Sequence, residues 1–303
     1  MFGNITTINS NFSAMEALYN LKKTNGKMGL HQTRLSTGKR INSAEDDAAG
    51  YHIAKHLESR TRGLSQALDN VSTAKNIFNI AEGGYQSQMD ILQQVKESLT
   101  QAADGSLSED QRFAIGDRIN SLLEEFNEIY DQTKYNGFKL FGDETGATVA
   151  NRIMIFQVGE ESADTFDVEF DASVRDDIGE DVDNDLDGIV GGTPAGWATL
   201  TQDQATTGID ELESAIDSLS ATIQRMGDYQ ARLTSKEESL SIGVANTEAS
   251  RSRIEDADFA KEQMEMVKLQ ILQQTGVSAF SQANSAPQVV LSLFKTTFFA
   301  VPK

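Results

Sequence analysis

Two short patterns in this 303-residue chain carry residue types at spacings that could do chemistry. His52 and His56 stand four apart, which on a helix brings two imidazoles onto one face, the spacing at which they share a metal. No glutamate follows His52 and no third ligand accompanies the pair, so the metalloprotease pattern fails. The two histidines read as polar residues beside a packed seam. Asp183-Asn184-Asp185-Leu186-Asp187-Gly188 fits the first half of a calcium loop, with carboxylates at alternate positions and glycine at the sixth. Pro194 stands where the bidentate glutamate belongs, which argues against an EF-hand. Two readings stay open: a looser, weak calcium site on Asp181, Asp183, Asp185 and Asp187, or a solvated acidic loop. No other cofactor is suggested, and the absence of cysteine excludes a thiol nucleophile, a disulfide scaffold and a thiolate zinc site.

The elements that position these residues follow from charge and periodicity. With 46 acidic and 26 basic side chains the formal charge is −20, which argues against nucleic acid as a partner. Residues 142–187 hold 15 acidic side chains against Arg152 and Arg175, so most of the charge belongs to the middle of the chain. No apolar run approaches the roughly 18 to 20 residues of a membrane helix. Met1-Phe2-Gly3-Asn4 begins no basic segment followed by an apolar one, so any export is expected without a cleaved signal.

From about Ser43 to Gln101, Leu57, Leu64, Leu68, Val71, Phe78, Tyr85, Met89, Leu92, Val95 and Leu99 recur at helical spacing on a narrow stripe. A matching seam, Ile209 to Val244, keeps heptad spacing and predicts a rod of about 75 Å over residues 207–256. Between them, Ser108-Glu109-Asp110-Gln111 predicts the N-terminal cap of a third helix that ends near Asp131. Tyr135-Asn136-Gly137-Phe138 is a turn signal. Ile153 to Val158 and Thr165 to Phe170 read as two strands, the second with one wet acidic face. Residues 8–30 and 259–293 carry too little apolar surface for isolated helices, so each end needs a partner.

Arg34-Leu35-Ser36-Thr37-Gly38-Lys39-Arg40-Ile41-Asn42-Ser43-Ala44-Glu45-Asp46-Asp47-Ala48-Ala49-Gly50 closely resembles the N-terminal signature of bacterial flagellins. Gly63 to Ala67, Ala81 to Gly84 and Thr133 to Gly137 resemble the blocks that follow it. Ser250 to Asp258, Gln273 to Gly276 and Ser281 to Leu291 resemble the C-terminal signature. The similarity covers about residues 5–141 and 205–294 and leaves the centre unmatched.

The resemblance implies a mainly α fold: a long antiparallel helical bundle and coiled coil built from both arms, with a β-hairpin and a small acidic central lobe directed outward. The expected divisions are 1–42 (N-terminal arm and spoke), 43–141 (first half of the helical core), 142–200 (hairpin and acidic insert), 201–255 (C-terminal core helix) and 256–303 (C-terminal arm). It implies a filament subunit that assembles with copies of itself, meets an export chaperone at its C-terminal region, and contacts cap and hook-associated proteins. The implied place is the extracellular filament, or the periplasm where flagella are internal. Head-to-tail interfaces whose rotation does not close give an open helical polymer. The residues expected at subunit contacts are Arg34, Leu35, Arg40, Ile41, Asn42, Asp46 and Asp47, opposite Arg251, Arg253, Ile254, Asp256 and Asp258.

The chain also departs from the family. Members recognised by an innate-immune Toll-like receptor carry an arginine, a leucine and a glutamate where this sequence has Gln94, Ser98 and Arg118, so weak activation is expected. Lys295 to Lys303 continues beyond the usual end; adjacent Phe298 and Phe299 leave two readings open, burial against a neighbouring subunit or the filament lumen wall, or a frayed tail. A hook-filament junction protein is the rival function, disfavoured by the closeness of the Arg34 to Gly50 block. An enzyme is disfavoured because the acidic insert contains no histidine and no nucleophile constellation.

Overall fold

The computed structural model describes residues 11–142, 152–171 and 200–298. Its elements are α1 (Phe12–Thr37), α2 (Ala48–Ala102), α3 (Glu109–Gln132), β1 (Lys134–Tyr135), β2 (Phe138–Lys139), β3 (Arg152–Gln157), β4 (Thr165–Phe170), α4 (Gln202–Glu255) and α5 (Phe259–Phe298). The chain divides into two units, one of Met1–Arg60 with Asn246–Lys303, the other Thr61–Ala245. The sequence-derived divisions near residues 42 and 256 fall in the α1–α2 and α4–α5 connections.

Within the Thr61–Ala245 unit the heptads are literal. Leu64, Val71, Phe78, Tyr85, Leu92 and Leu99 of α2 recur every seven residues and all are buried, as are Ala67, Ala74, Ala81, Gln88, Val95 and Ala102 three positions on. In α4 the series is Ala205, Leu212, Leu219, Met226, Leu233 and Leu240; in α3 it is Ile119 and Phe126 with Leu123 and Tyr130. A strict seven-residue repeat keeps one seam facing its partner, and alanine at alternate positions lets the axes approach. Each large side chain taken fully out of water contributes roughly 1.5–3 kcal/mol. Cross-helix pairs, Lys75 Nζ to Glu237 at 2.7 Å and Lys96 Nζ to Glu213 at 3.3 Å, run α2 antiparallel to α4.

Local signals explain the ends. Ser108 and Gln111 form a reciprocal capping box at the start of α3. Arg112, buried, donates to the carbonyls of Ala102 at 2.9 Å and Asp104 at 3.2 Å, satisfying the C-terminal end of α2. Asn136 and Gly137, with φ of 50° and 85°, make the tight turn that pairs Tyr135 with Phe138. The β3–β4 hairpin pairs Arg152 with Phe170 through Gln157 with Thr165. Val168 and Phe170 turn inward, Phe170 stacking on Phe78, while Asp167 and Glu169 are exposed. Beyond β4, Asp171 accepts from Tyr85 through its carbonyl at 2.9 Å and from Thr222 through its carboxylate at 2.8 Å, and pairs with Arg225. Burial pushes the Tyr85 phenol far above its ordinary range, so it stays protonated and keeps the proton it donates to Asp171.

Candidate assembly surface

The unit formed by Met1–Arg60 and Asn246–Lys303 contains α1 and α5, which pair antiparallel. Asn11 Nδ2 donates to the Ala283 carbonyl at 2.8 Å, Gln273 Nε2 to Asn25 Oδ1 at 2.9 Å, and Gly276 lets Leu21 pack against the α5 backbone. At the inner end, buried Glu262 of α5 bonds His31 through one carboxylate oxygen and stands 3.6 Å from Arg34 through the other. The partner that the sequence demanded for each arm is therefore the other arm. Both helices outrun their apolar patterns, α1 reaching Thr37 and α5 reaching Phe298.

The segment after α1 is a compact joint. Gly38, in the left-handed region at φ 71°, ends the helix by donating to the Arg34 carbonyl at 2.9 Å. Its own carbonyl accepts from Ala257, and the Arg40 amide donates to the Glu255 carbonyl at 2.6 Å, which stitches the joint to the α4–α5 connection. Lys39 Nζ reaches the Glu255 carboxylate at 2.6 Å, and the Arg40 guanidinium reaches the Ile254 carbonyl at 2.6 Å. Ile41 is only 1% exposed. A Cβ on Gly50 would stand 2.5 Å from Asp47 Oδ2 and 2.7 Å from Ile41 Cδ1, so a larger residue there would have to displace both side chains.

Asp46 accepts from the amides of Asn42 at 3.0 Å and Ser43 at 3.1 Å, which holds its carboxyl below the ordinary carboxylate value. Asp47 accepts from Gly50 N, opening α2, and Asp258 accepts from Ala260 and Lys261, opening α5. Arg251 pairs with Glu248 on its own helix. Arg34, Arg40, Ile41, Asn42, Asp46, Ile254 and Asp256 thus come together inside one chain. Leu35 is half-buried, and Arg253 is exposed. Glu255 and Glu262, both buried and both organising the joint, are absent from the sequence-derived set; Glu255 stands inside the Ser250 to Asp258 block, and Glu262 follows four residues after it.

The outer faces of the helical pair are apolar and uncovered. Phe12 (68% exposed), Met15, Tyr19 and Leu30 of α1, with Phe259, Met264 (67%), Ile271 and Val277 of α5, project from a unit holding 14 basic against 11 acidic side chains. The other unit holds 12 basic against 35 acidic. Exposed apolar surface this extensive marks an interaction site, and the near balance of charge around it removes the electrostatic obstacle to packing like against like.

The remaining sequence-derived sites fare differently. His52 and His56 are both exposed on α2. Asp181, Asp183, Asp185 and Asp187 lie outside the described residues, as do residues 299–303 of the C-terminal extension. Among the described residues no group of three or more His, Cys, Asp or Glu is placed to hold a metal. Gln94 and Arg118 are exposed, but Ser98 is not a surface position: it is 3% exposed, turned into the α2 seam beside Leu99, and donates to the Gln94 carbonyl at 2.9 Å. No helix among the described residues is long and apolar enough to cross a membrane.

The family description "Bacterial flagellin N-terminal helical region" matches residues 8–145, and "Bacterial flagellin C-terminal helical region" matches residues 209–294. Flagellin FlaB1 of Treponema pallidum (strain Nichols) is 32% identical over 293 residues, covering 95% of this chain and 99% of that protein. A flagellin of Listeria monocytogenes is 33% identical over 295 residues, with the same coverage. In structure, a Vibrio parahaemolyticus protein described as flagellar hook-associated aligns with a TM-score of 0.60 at 15% identity, covering 70% of this chain and all of that one. That last likeness speaks to the helical fold alone.

Proposed function

The chain belongs to the bacterial flagellin family, a family of structural proteins, and from that premise we propose that it polymerises head to tail into the helical flagellar filament used for motility. The uncovered apolar outer face of α1 and α5 carries the reading. A monomer leaves Phe12, Met15, Phe259 and Met264 in water; a neighbouring copy that covers them gains roughly 1.5–3 kcal/mol for each large side chain buried. Because the contacting surfaces differ, each copy leaves its complementary surface open for the next, and the polymer extends along a helix.

In this reading Arg34, Leu35, Arg40, Ile41, Asn42, Asp46 and Asp47, with Arg251, Arg253, Ile254, Asp256 and Asp258, serve subunit contacts in two ways. Ile41, Asn42, Asp46 and Asp47 shape the joint that presents the arms, while Leu35 and Arg253 meet the neighbour directly. The apolar α5 face is the surface an export chaperone covers before assembly. Cap and hook-associated proteins bound the polymer at its ends. The filament lies outside the cell, or in the periplasm where flagella are internal. The acidic middle of the chain keeps its surface solvated. The hook-filament junction reading finds only a fold likeness at 15% identity in its favour.

Electron microscopy of the purified chain tests the function: filaments are expected from the full chain and none from a chain lacking residues 1–40. Filaments of normal form from the truncated chain would remove the arms from the mechanism.

A further inference from the structure

One cluster in the Thr61–Ala245 unit plays no part in the arms or the joint. Arg225, Asp228, Tyr229, Ala231 and Arg232 of α4 line an open groove of about 460 Å³. Arg225 is engaged, paired with Asp171 and donating to Thr222 at 3.2 Å. Arg232 is exposed, and its guanidinium stands 4.6 Å from the centroid of the Phe166 ring. Stacking on an aromatic face fixes a guanidinium without consuming its N–H donors, leaving a fork matched to a carboxylate. Lys236 follows one helical turn later. Among the described residues no carboxylate pairs with Arg232 or Lys236, although this unit holds 35 acidic side chains.

The complement of the cleft is on α3. Its seam residues Arg112, Ile119 and Phe126 are buried, and on the opposite face Asp110, Asp117 and Glu124 are exposed at seven-residue intervals. At 1.5 Å per residue these carboxylates repeat about every 10.5 Å, while Arg232 and Lys236 stand about 6 Å apart along α4, a difference that the flexible four-carbon stem of lysine spans. Asp228 also lines the groove, and exposed Arg118 follows Asp117 on α3. We propose that the Arg232 cleft of one copy receives the α3 carboxylates Asp117 and Glu124 of a second copy. The contact is heterologous, as a polymer requires, and the inference rests on the polymerisation reading above.

Charge reversal in the full chain tests it. The cleft variant carries Arg232→Glu and Lys236→Glu, the stripe variant carries Asp117→Lys and Glu124→Lys, and a third carries all four. All substituted positions are exposed or half-buried, and melting curves check that each variant folds. Sedimentation at low salt is expected to show each separate reversal raising the concentration needed for polymer by about tenfold, with the combined reversal returning to within about threefold of the parent chain. A neutral variant, Arg232→Gln with Lys236→Gln, is expected to lose much of the parent's salt dependence. Separate reversals that polymerise like the parent would overturn the contact and leave the polymerisation reading standing. A combined reversal that recovers nothing would overturn the pairing of cleft with stripe. A parent chain that stays monomeric would overturn the polymerisation reading and, with it, this inference.

Discussion

Gly84 of α2 lies against the ring of Phe141, so closely that a Cβ added there would stand 2.6 Å from Cζ and 2.8 Å from the Thr133 hydroxyl. Phe141 is fully buried, its ring 4.1 Å from that of Tyr85. Neither neighbour is the loose end of a flexible side chain, so Gly84→Ala is expected to lower stability by about 1–3 kcal/mol through overpacking. Its neighbour gives the control. Gly83 has open space around it, and Gly83→Ala is expected to raise stability by up to about 1 kcal/mol through helix propensity. Thermal melting of the two variants should move in opposite directions; equal shifts would show that the Phe141 contact is not what requires glycine.

Asp46 ties the joint to acid stability. Its folded value lies below that of an ordinary carboxylate because the Asn42 and Ser43 amides donate to the ionised form. The stabilisation is fully present above the unfolded value and fades as the pH falls through the lower folded value. Asp46→Ala is expected to melt earlier at neutral pH and to show a flatter loss of stability below about pH 4 than the parent. A parallel acid limb in the two proteins would exclude Asp46 as a contributor.

Glu255 is 5% exposed, and the Lys39 ammonium is its cationic partner. Lys39→Met removes that partner while the carboxylate stays buried, a change expected to cost about 1–3 kcal/mol. Adding Glu255→Gln should recover part of the loss, because a neutral amide needs no counter-charge. Hydrogen exchange at the Arg40 and Ile41 amides, which face the Glu255 carbonyl, reads the effect locally. Unchanged exchange in the Lys39 variant would show that the backbone alone holds the joint.

Receptor activation by the chain is expected to be weak in a reporter-cell assay. Gln94 and Arg118 are exposed and differ in charge from the family members that activate strongly, so Gln94→Arg combined with Arg118→Glu should raise the response. Ser98→Leu should not, since its side chain points into the seam and the added volume strains the core. Strong activation by the unmodified chain at low concentration would refute the expectation.

The seams were legible because burial repeats every seven residues and the sequence repeats with it: Leu212, Leu219, Met226, Leu233 and Leu240 need no tertiary information to be found. Ser108 and the Asn136-Gly137 turn were legible for the same reason, their chemistry acting over three or four residues. Other features depend on residues far apart in the chain. Lys39 and Glu255 are separated by 216 positions, and no local pattern joins them. The burial of Ser98 escaped notice because a small polar residue beside Leu99 interrupts neither seam. The full lengths of α1 and α5 were illegible because their partner is the opposite terminus, so neither arm carries a complete apolar stripe of its own.

Gln88 occupies a seam position of α2 among alanines and valine, is fully buried, and donates to the Phe126 carbonyl of α3 at 3.3 Å. A slide of α3 along α2 by one heptad would keep apolar residues opposite apolar residues, and hydrophobic burial alone would scarcely notice the error. The amide would notice: a displacement of about 10.5 Å would separate it from the Phe126 carbonyl, and a buried hydrogen bond lost in this way costs about 1–3 kcal/mol. A single glutamine therefore acts as a proofreading mark, telling a refolding chain which of several nearly equivalent alignments is the right one.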